Sequence, residues 1–278
     1  MTHKILFIIA FFTIRIDTNA QQLVELWATD AVFDTPESVL FDKKNHCLYV
    51  TNIGGKEPWK KDENGFISKL TPDGKILERE WVTGFNAPKG MAIFKDKLYV
   101  ADVDQVVVVD IKNGKVERKL DCKGSSSLND VSTGKGGNIL ISDSGGRALY
   151  NLHNGTFTKL VDSTSLTKPN GVLYTQGQTY LLDKNGINKV ANGQVEMLVN
   201  GMPGGTDGIE QLSKNEFIVS CWSGTIYYVN TKLKTKKLLL DTSEKKINTA
   251  DIGLDSSTKT VFVPTFFDNR VVAYKFKM

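Results

Sequence analysis

Short apolar runs, broken by glycine, proline, asparagine and aspartate, follow one another along almost the whole chain after residue 20. Runs such as CLYV (47–50), KLYVA (97–101), NILI (138–141), FIVS (217–220) and TVFV (260–263) are too short for helices, and they predict buried strands. Others, such as KVERKLD (115–121) and QVEMLV (194–199), alternate and predict strands with one wet face. Pro, Gly and alternating patterns interrupt every candidate helical window.

The strands fall into a repeat. Aligned at the same position, ESVLFD (37), KGMAIF (89), NDVSTG (129), NGVLYT (170), DGIEQL (207) and ADIGLD (250) each begin with a variable residue, then a small or polar one, then an apolar strand. The starts are 52, 40, 41, 37 and 43 residues apart, and each is followed by a second, a third and usually a fourth strand. Asp73-Gly74, Asn113-Gly114, Asn154-Gly155 and Asn192-Gly193 join third strands to fourth strands, the strongest short-range signal for a hairpin. Four antiparallel strands in each unit of about 40 residues is the arithmetic of a propeller blade. The expected fold is therefore all-β, a six-bladed β-propeller forming a single domain over 21–278. The last unit stops after its third strand while the chain starts with an orphan strand, QLVELWA (22–28). That segment is expected to complete the final blade and remove an exposed edge. A Greek-key sandwich would not produce six equivalent starts.

In a propeller the first strand of each blade lies innermost, so the six starts converge on one mouth of the axial channel. They are Glu37, Lys89, Asn129, Asn170, Asp207 and Ala250. Two carboxylates and two amide oxygens make a hard, oxygen-only set, which suits one divalent cation: calcium first, then magnesium. Zinc is disfavoured because the ring holds no histidine or cysteine. The competing reading is a salt bridge from Lys89 to Glu37 or Asp207, which would leave no metal at all. Shifting the last repeat by one residue would put Asp251 in the ring, but the match of ADI (250–252) to NDV (129–131) favours Ala250.

The first twenty residues have another character. His3 and Lys4 precede an apolar stretch from Ile5 to Ile14, followed by Thr18 and Ala20. That run is too short to cross a bilayer and predicts a cleaved export signal over residues 1–20, a periplasmic or secreted protein, and no stable membrane anchor after cleavage. Without that segment the balance of charge is +3, which argues against nucleic acid as a partner. Cys47, Cys122 and Cys221 have no metal-ligand spacing, and Cys47 and Cys221 fall in strand-like runs as buried free thiols.

With PESVLFD, SLNDVSTGKGGNILISDS, KPNGVLY and GGTDGIEQLSKNEFIVSCWSGTIYYV in view, the chain resembles the gluconolactonase and regucalcin (senescence marker protein) family of six-bladed propellers, and also the squid-type phosphotriesterase. The resemblance implies a divalent cation, usually calcium, held by Glu37, Asn129, Asn170 and Asp207. It also implies a lactone or similar cyclic ester as the small-molecule substrate, and Asp207 as catalytic base or nucleophile. Asp130, next to Asn129, is expected to orient that amide. Two positions depart from the family. Its sugar-lactone members carry arginine where this chain has Ser127, and Lys89 places a cation in the ring, where it must contact substrate or pair with an acid.

Loops between second and third strands return to the same mouth and carry Trp59, Asp102, Asp104, Asp143, Asp183, Trp222, Phe266 and Phe267. Trp59 and Trp222 are candidate substrate contacts together with Lys89 and Asn129, and Trp59, in a polar loop, is the candidate lid. For Trp222 and the two phenylalanines, packing between blades is an equal alternative. The stretch GFNAPKGMAIFKDKLYVADVDQ resembles repeats of non-enzymatic NHL-type propellers, so a binding propeller recognising a glycan or a protein is the competing function.

Overall fold

A computed structural model describes residues 21–278, and the expected export signal over residues 1–20 lies outside them. The chain folds as six four-stranded antiparallel sheets, with helix confined to three short 3-10 turns among the described residues. Each sheet is one blade. The innermost strands are Pro36–Asp42, Pro88–Phe94, Leu128–Thr133, Val172–Thr175, Thr206–Ser213 and Gly253–Asp255, in blades 1 to 6.

The sixth blade is closed by the N-terminal strand Gln22–Ala28, which pairs antiparallel with Val271–Lys277. Joining the two ends of the chain in one sheet leaves the ring with no unmatched blade edge. On the inner side, blades 6 and 1 meet through a parallel bridge between Ser38 and Asp251.

The core is divided into wedges between neighbouring blades. Cys47, Tyr49 and Phe85 of blade 1 pack with Met91, Leu98 and Val100 of blade 2, and equivalent clusters fill the other five junctions. This arrangement explains the two kinds of strand in the sequence. Second strands such as Cys47–Asn52 are buried along their whole length because both faces meet a neighbouring blade. Outer strands such as Lys115–Asp121 are wet and mostly polar. All three cysteines are free and buried.

The small residue that follows several ring positions also has a packing reason. A Cβ on Gly90 would lie 2.2 Å from Asp130 Oδ1, and one on Gly208 would lie 2.6 Å from Asp251 Oδ1. Inner strands approach so closely that a carboxylate on one blade requires bare backbone on the one before it. Asn154-Gly155 and Asn192-Gly193 form two-residue hairpins with both residues at positive φ, as those dipeptides demand.

Candidate functional site at one mouth of the channel

Glu37, Lys89, Asn129, Asn170 and Asp207 come together at the floor of one pocket of about 610 Å³. Four of the five are buried: Glu37 is 4%, Lys89 2%, Asn129 7% and Asp207 3% exposed. Ala250 is fully buried but sits beneath Phe266 in a small apolar cluster instead of facing the pocket.

Of five buried side-chain atoms without a hydrogen-bond partner among the described residues, three belong to the ring and the others are Asn151 Oδ1 and Thr225 Oγ1. Glu37 Oε2, Asn170 Oδ1 and Asp207 Oδ1 are buried without a donor. Such orphans are rare in a folded protein and call for a ligand, ion or water. A fourth oxygen joins them by elimination. Ser144 Oγ donates to Pro169 O at 2.5 Å, so toward Asn129 it accepts, from Nδ2 at 3.0 Å. That fixes the amide and leaves Asn129 Oδ1 as the atom free to face the pocket.

Asp130 does not perform this orientation. Its Oδ1 accepts from Val131 N and its Oδ2 from Val172 N, both at 2.6 Å, so it ties blade 3 to blade 4. Ser144, at the end of the next strand, holds Asn129 instead. The pattern NDV contains nothing that points to it.

Lys89 lies between two partners. Its Nζ is 3.5 Å from Glu37 Oε1 and 4.3 Å from the centre of the Trp59 ring. Trp59 thus stacks over the ammonium on the pocket wall. Burial raises the pKa of Glu37 from its ordinary value, and Lys89 opposes that shift only in part. Asp207 is pushed well above its ordinary value by burial, and the charges of Glu37 and Asp251 add to the effect; Lys89 and the Asn170 amide pull against it. The floor of the mouth thus sets two buried acids, Glu37 and Asp207, against one buried lysine.

Further along the same inner strands, a second space of about 230 Å³ is lined in part by Asp130, Glu210 and Asp251. Burial pushes Asp251 up to about 7 and Glu210 up to about 8, with nearby acids adding to each. Among the described residues, no group of three or more His, Cys, Asp or Glu side chains gathers as a metal centre. The ring has only two carboxylates and completes its oxygen set with amides.

Asp102, Asp143 and Asp183, expected to face the mouth, act as clamps beneath it. Asp183 accepts from Thr167 N at 3.0 Å and Lys168 N at 2.7 Å, Asp143 from Ser126 N and Ser127 N, and Asp102 from Asn86 N and Ala87 N. In each blade the pinned amides lie three and two residues before the ring residue, so the aspartate sets the path of the chain into the site. Asp104 forms an ion pair with Lys61 on the surface.

The aromatic residues divide between the two roles weighed for them. Phe266 is buried, whereas Trp222 is 41% and Phe267 48% exposed, and both line the pocket. Trp222 meets Phe266 and Phe267 edge to face, with ring centres 5.6 and 6.2 Å apart. Thr167, Lys168, Lys184 and Asn185 of blade 4 also line the pocket and are absent from the sequence-based expectation.

No protein-family model matches the sequence, and no curated protein does either. Solved structures do. A streptogramin B lyase is 12% identical over 92% of this chain and 97% of its own, with a TM-score of 0.66. A propeller provisionally classed as a gluconolactonase is 15% identical over 90% and 91%, with a TM-score of 0.68. A chain from a nidogen/laminin complex is 15% identical over 79% and 84%, with a TM-score of 0.65. At these identities the likeness establishes the propeller fold.

Proposed function

We propose that this protein is an exported hydrolase of a lactone or similar cyclic ester that depends on one divalent cation, calcium by preference, at the axial mouth. One observation carries the reading: buried oxygens of Glu37, Asn170 and Asp207, from three different blades, lack donors in one pocket. Asn129 Oδ1 makes a fourth. The set is all oxygen and carries two negative charges, which fits calcium or magnesium. Bound there, the cation would supply Lewis-acid polarisation of the ester carbonyl.

The chain's own residues supply the remainder. Asp207, once ionised, takes a proton from water or attacks the ester carbon directly. The amide oxygens of Asn129 and Asn170 would help hold the cation beside it, Ser144 having fixed the first of them. The aromatic wall of Trp222, Phe266 and Phe267 helps keep bulk water from the floor, which strengthens charge interactions there. The neighbour classed as a gluconolactonase and the sequence resemblance both support this chemistry, and the apolar stretch within residues 1–20 supports export.

A second reading has its own observation. Lys89 already stands 3.5 Å from Glu37, so an internal ammonium meets part of the demand for positive charge. On that reading the mouth is a binding surface for a glycan or a protein, and the likeness to a chain of a nidogen/laminin complex supports it. Elemental analysis and calcium titration calorimetry on the purified protein, followed by a lactone and ester panel with and without chelator, separate the two. Calcium binding together with chelator-sensitive turnover is the expected result. No binding and no turnover would leave the binding propeller.

A further inference from the structure

The pocket has two unlike walls. Blade 4 presents Lys168 and Lys184, both exposed, and neither pairs with a carboxylate among the described residues. Blades 5 and 6 present Trp222 and Phe267 on the buried ring of Phe266.

Both walls are carried on strained backbone. Lys184 and Asn185 form a two-residue hairpin turn at φ 53° and 59°, where glycine would relieve the chain, and Phe266 stands at φ 50°. Asp183 adds rigidity: its carboxylate holds the amide of Lys168, and its own position immediately precedes Lys184. The two lysines are thereby mounted on one support.

The charges at the pocket agree. Its lining holds three lysines against two acids, and the third lysine, Lys89, is already engaged by Glu37 and Trp59. A divalent cation on the ring would leave the pocket more positive still. A volume near 610 Å³ accommodates a molecule large enough to touch both walls.

We infer that this pocket selects a molecule carrying both an anionic group, met by Lys168 and Lys184, and an aromatic face, met by Trp222 and Phe267. Resting on the hydrolase reading, this makes the substrate an anionic aryl lactone. Its hydrolysis adds one water, breaks the acyl carbon–oxygen bond, and yields a carboxylate, a phenol and one proton.

The test uses binding and turnover separately. Calorimetry compares naphthalene-2-carboxylate, 2-naphthyl phosphate, 2-naphthamide and acetate, on the wild type, the Lys168→Ala/Lys184→Ala double variant and Trp222→Ala. At low salt, at least one aromatic anion should bind about tenfold tighter than the amide, and acetate only weakly. The double variant should bring anion and amide within about twofold, and Trp222→Ala should weaken all three aromatic probes together. Turnover then compares dihydrocoumarin with its 6-carboxylate, the carboxylate being favoured through a lower KM. Anions bound no better than the amide, or a preference that survives in the double variant, would overturn the inference. Hydrolysis of both lactones at equal efficiency would overturn it while leaving the hydrolase reading intact. Anion selectivity without hydrolysis of either would do the reverse.

Discussion

Two sets of buried acids lie within a few residues of each other around the same mouth, and their hydrogen bonds differ completely. Asp102, Asp143 and Asp183 each accept two amides from the chain that leads into the ring, so their oxygens are used for structure. Glu37 and Asp207, almost as deeply buried, each keep a buried oxygen that nothing in the protein satisfies. Buried carboxylates with their lone pairs engaged stabilise a fold, whereas those left open oppose it and persist for what they bind. The difference lies in the donors around each acid, not in residue type or depth.

Substitution should break this comparison in opposite directions. Asp207→Ala is expected to lower turnover by roughly a thousandfold or more while the metal-free melting temperature holds or rises, because a poorly paired buried charge is removed. Unchanged hydrolysis in that variant would sink Asp207 as the catalytic group. Asp143→Ala should instead destabilise. It strands Ser126 N, Ser127 N and Gly146 N, now bound at 3.1, 2.8 and 2.8 Å, at a cost of about 3 kcal/mol. In a domain of this size that is a fall of about 9 °C in thermal unfolding. A melting temperature within 2 °C of wild type would deny Asp143 the role of clamp.

Calcium sharpens the same contrast. Any ligand that binds only the folded protein stabilises it by about 2.7 kcal/mol at a hundred times its dissociation constant. Thermal scans should therefore show a calcium-dependent rise of about 8 °C in wild type and in Glu210→Gln, and little or none in Glu37→Gln or Asp207→Ala. An equal rise in all four would place the ion elsewhere.

How far the sequence discloses each part follows from what kind of fact it is. The blades are legible because one unit of about 40 residues is written six times, with Asn-Gly at hairpins whose φ values require it. Closure by Gln22–Ala28 is legible because the sixth unit lacks a strand and the chain begins with a spare one. The ring is legible because its members occupy one position in each repeat, and topology alone then brings five of the six to one pocket. The clamp aspartates mislead because, at the end of a strand, a side chain turned under the loop and one turned into the pocket have the same pattern. Lys168 and Lys184 are hidden for another reason. Exposed lysines in turns are the commonest of surface features, and only the shared support of Asp183 shows that these two face one cavity. Ser144 depends on a contact to Pro169 in the next blade, which no local pattern encodes.

The smallest effect tests the electrostatic half of the comparison away from the ring. Glu210, on the inner strand that begins at Thr206, is pushed by burial up to about 8, with the charge of Asp251 adding to the shift. The unfolded chain releases that proton near 4.5. An acid whose folded pKa is raised stabilises the protein fully below the unfolded value. It loses that contribution as pH climbs to the folded value, and changes nothing beyond it. Metal-free wild type should therefore lose stability between about pH 4.5 and pH 8, and Glu210→Gln should lose less. The two melting curves should agree near pH 4 and separate by about 4 °C near pH 8.5, equivalent to on the order of 2 kcal/mol. Curves that run parallel across this range would mean that the inner acids are compensated in pairs, and the excess negative charge inferred at the mouth would have to be withdrawn with them.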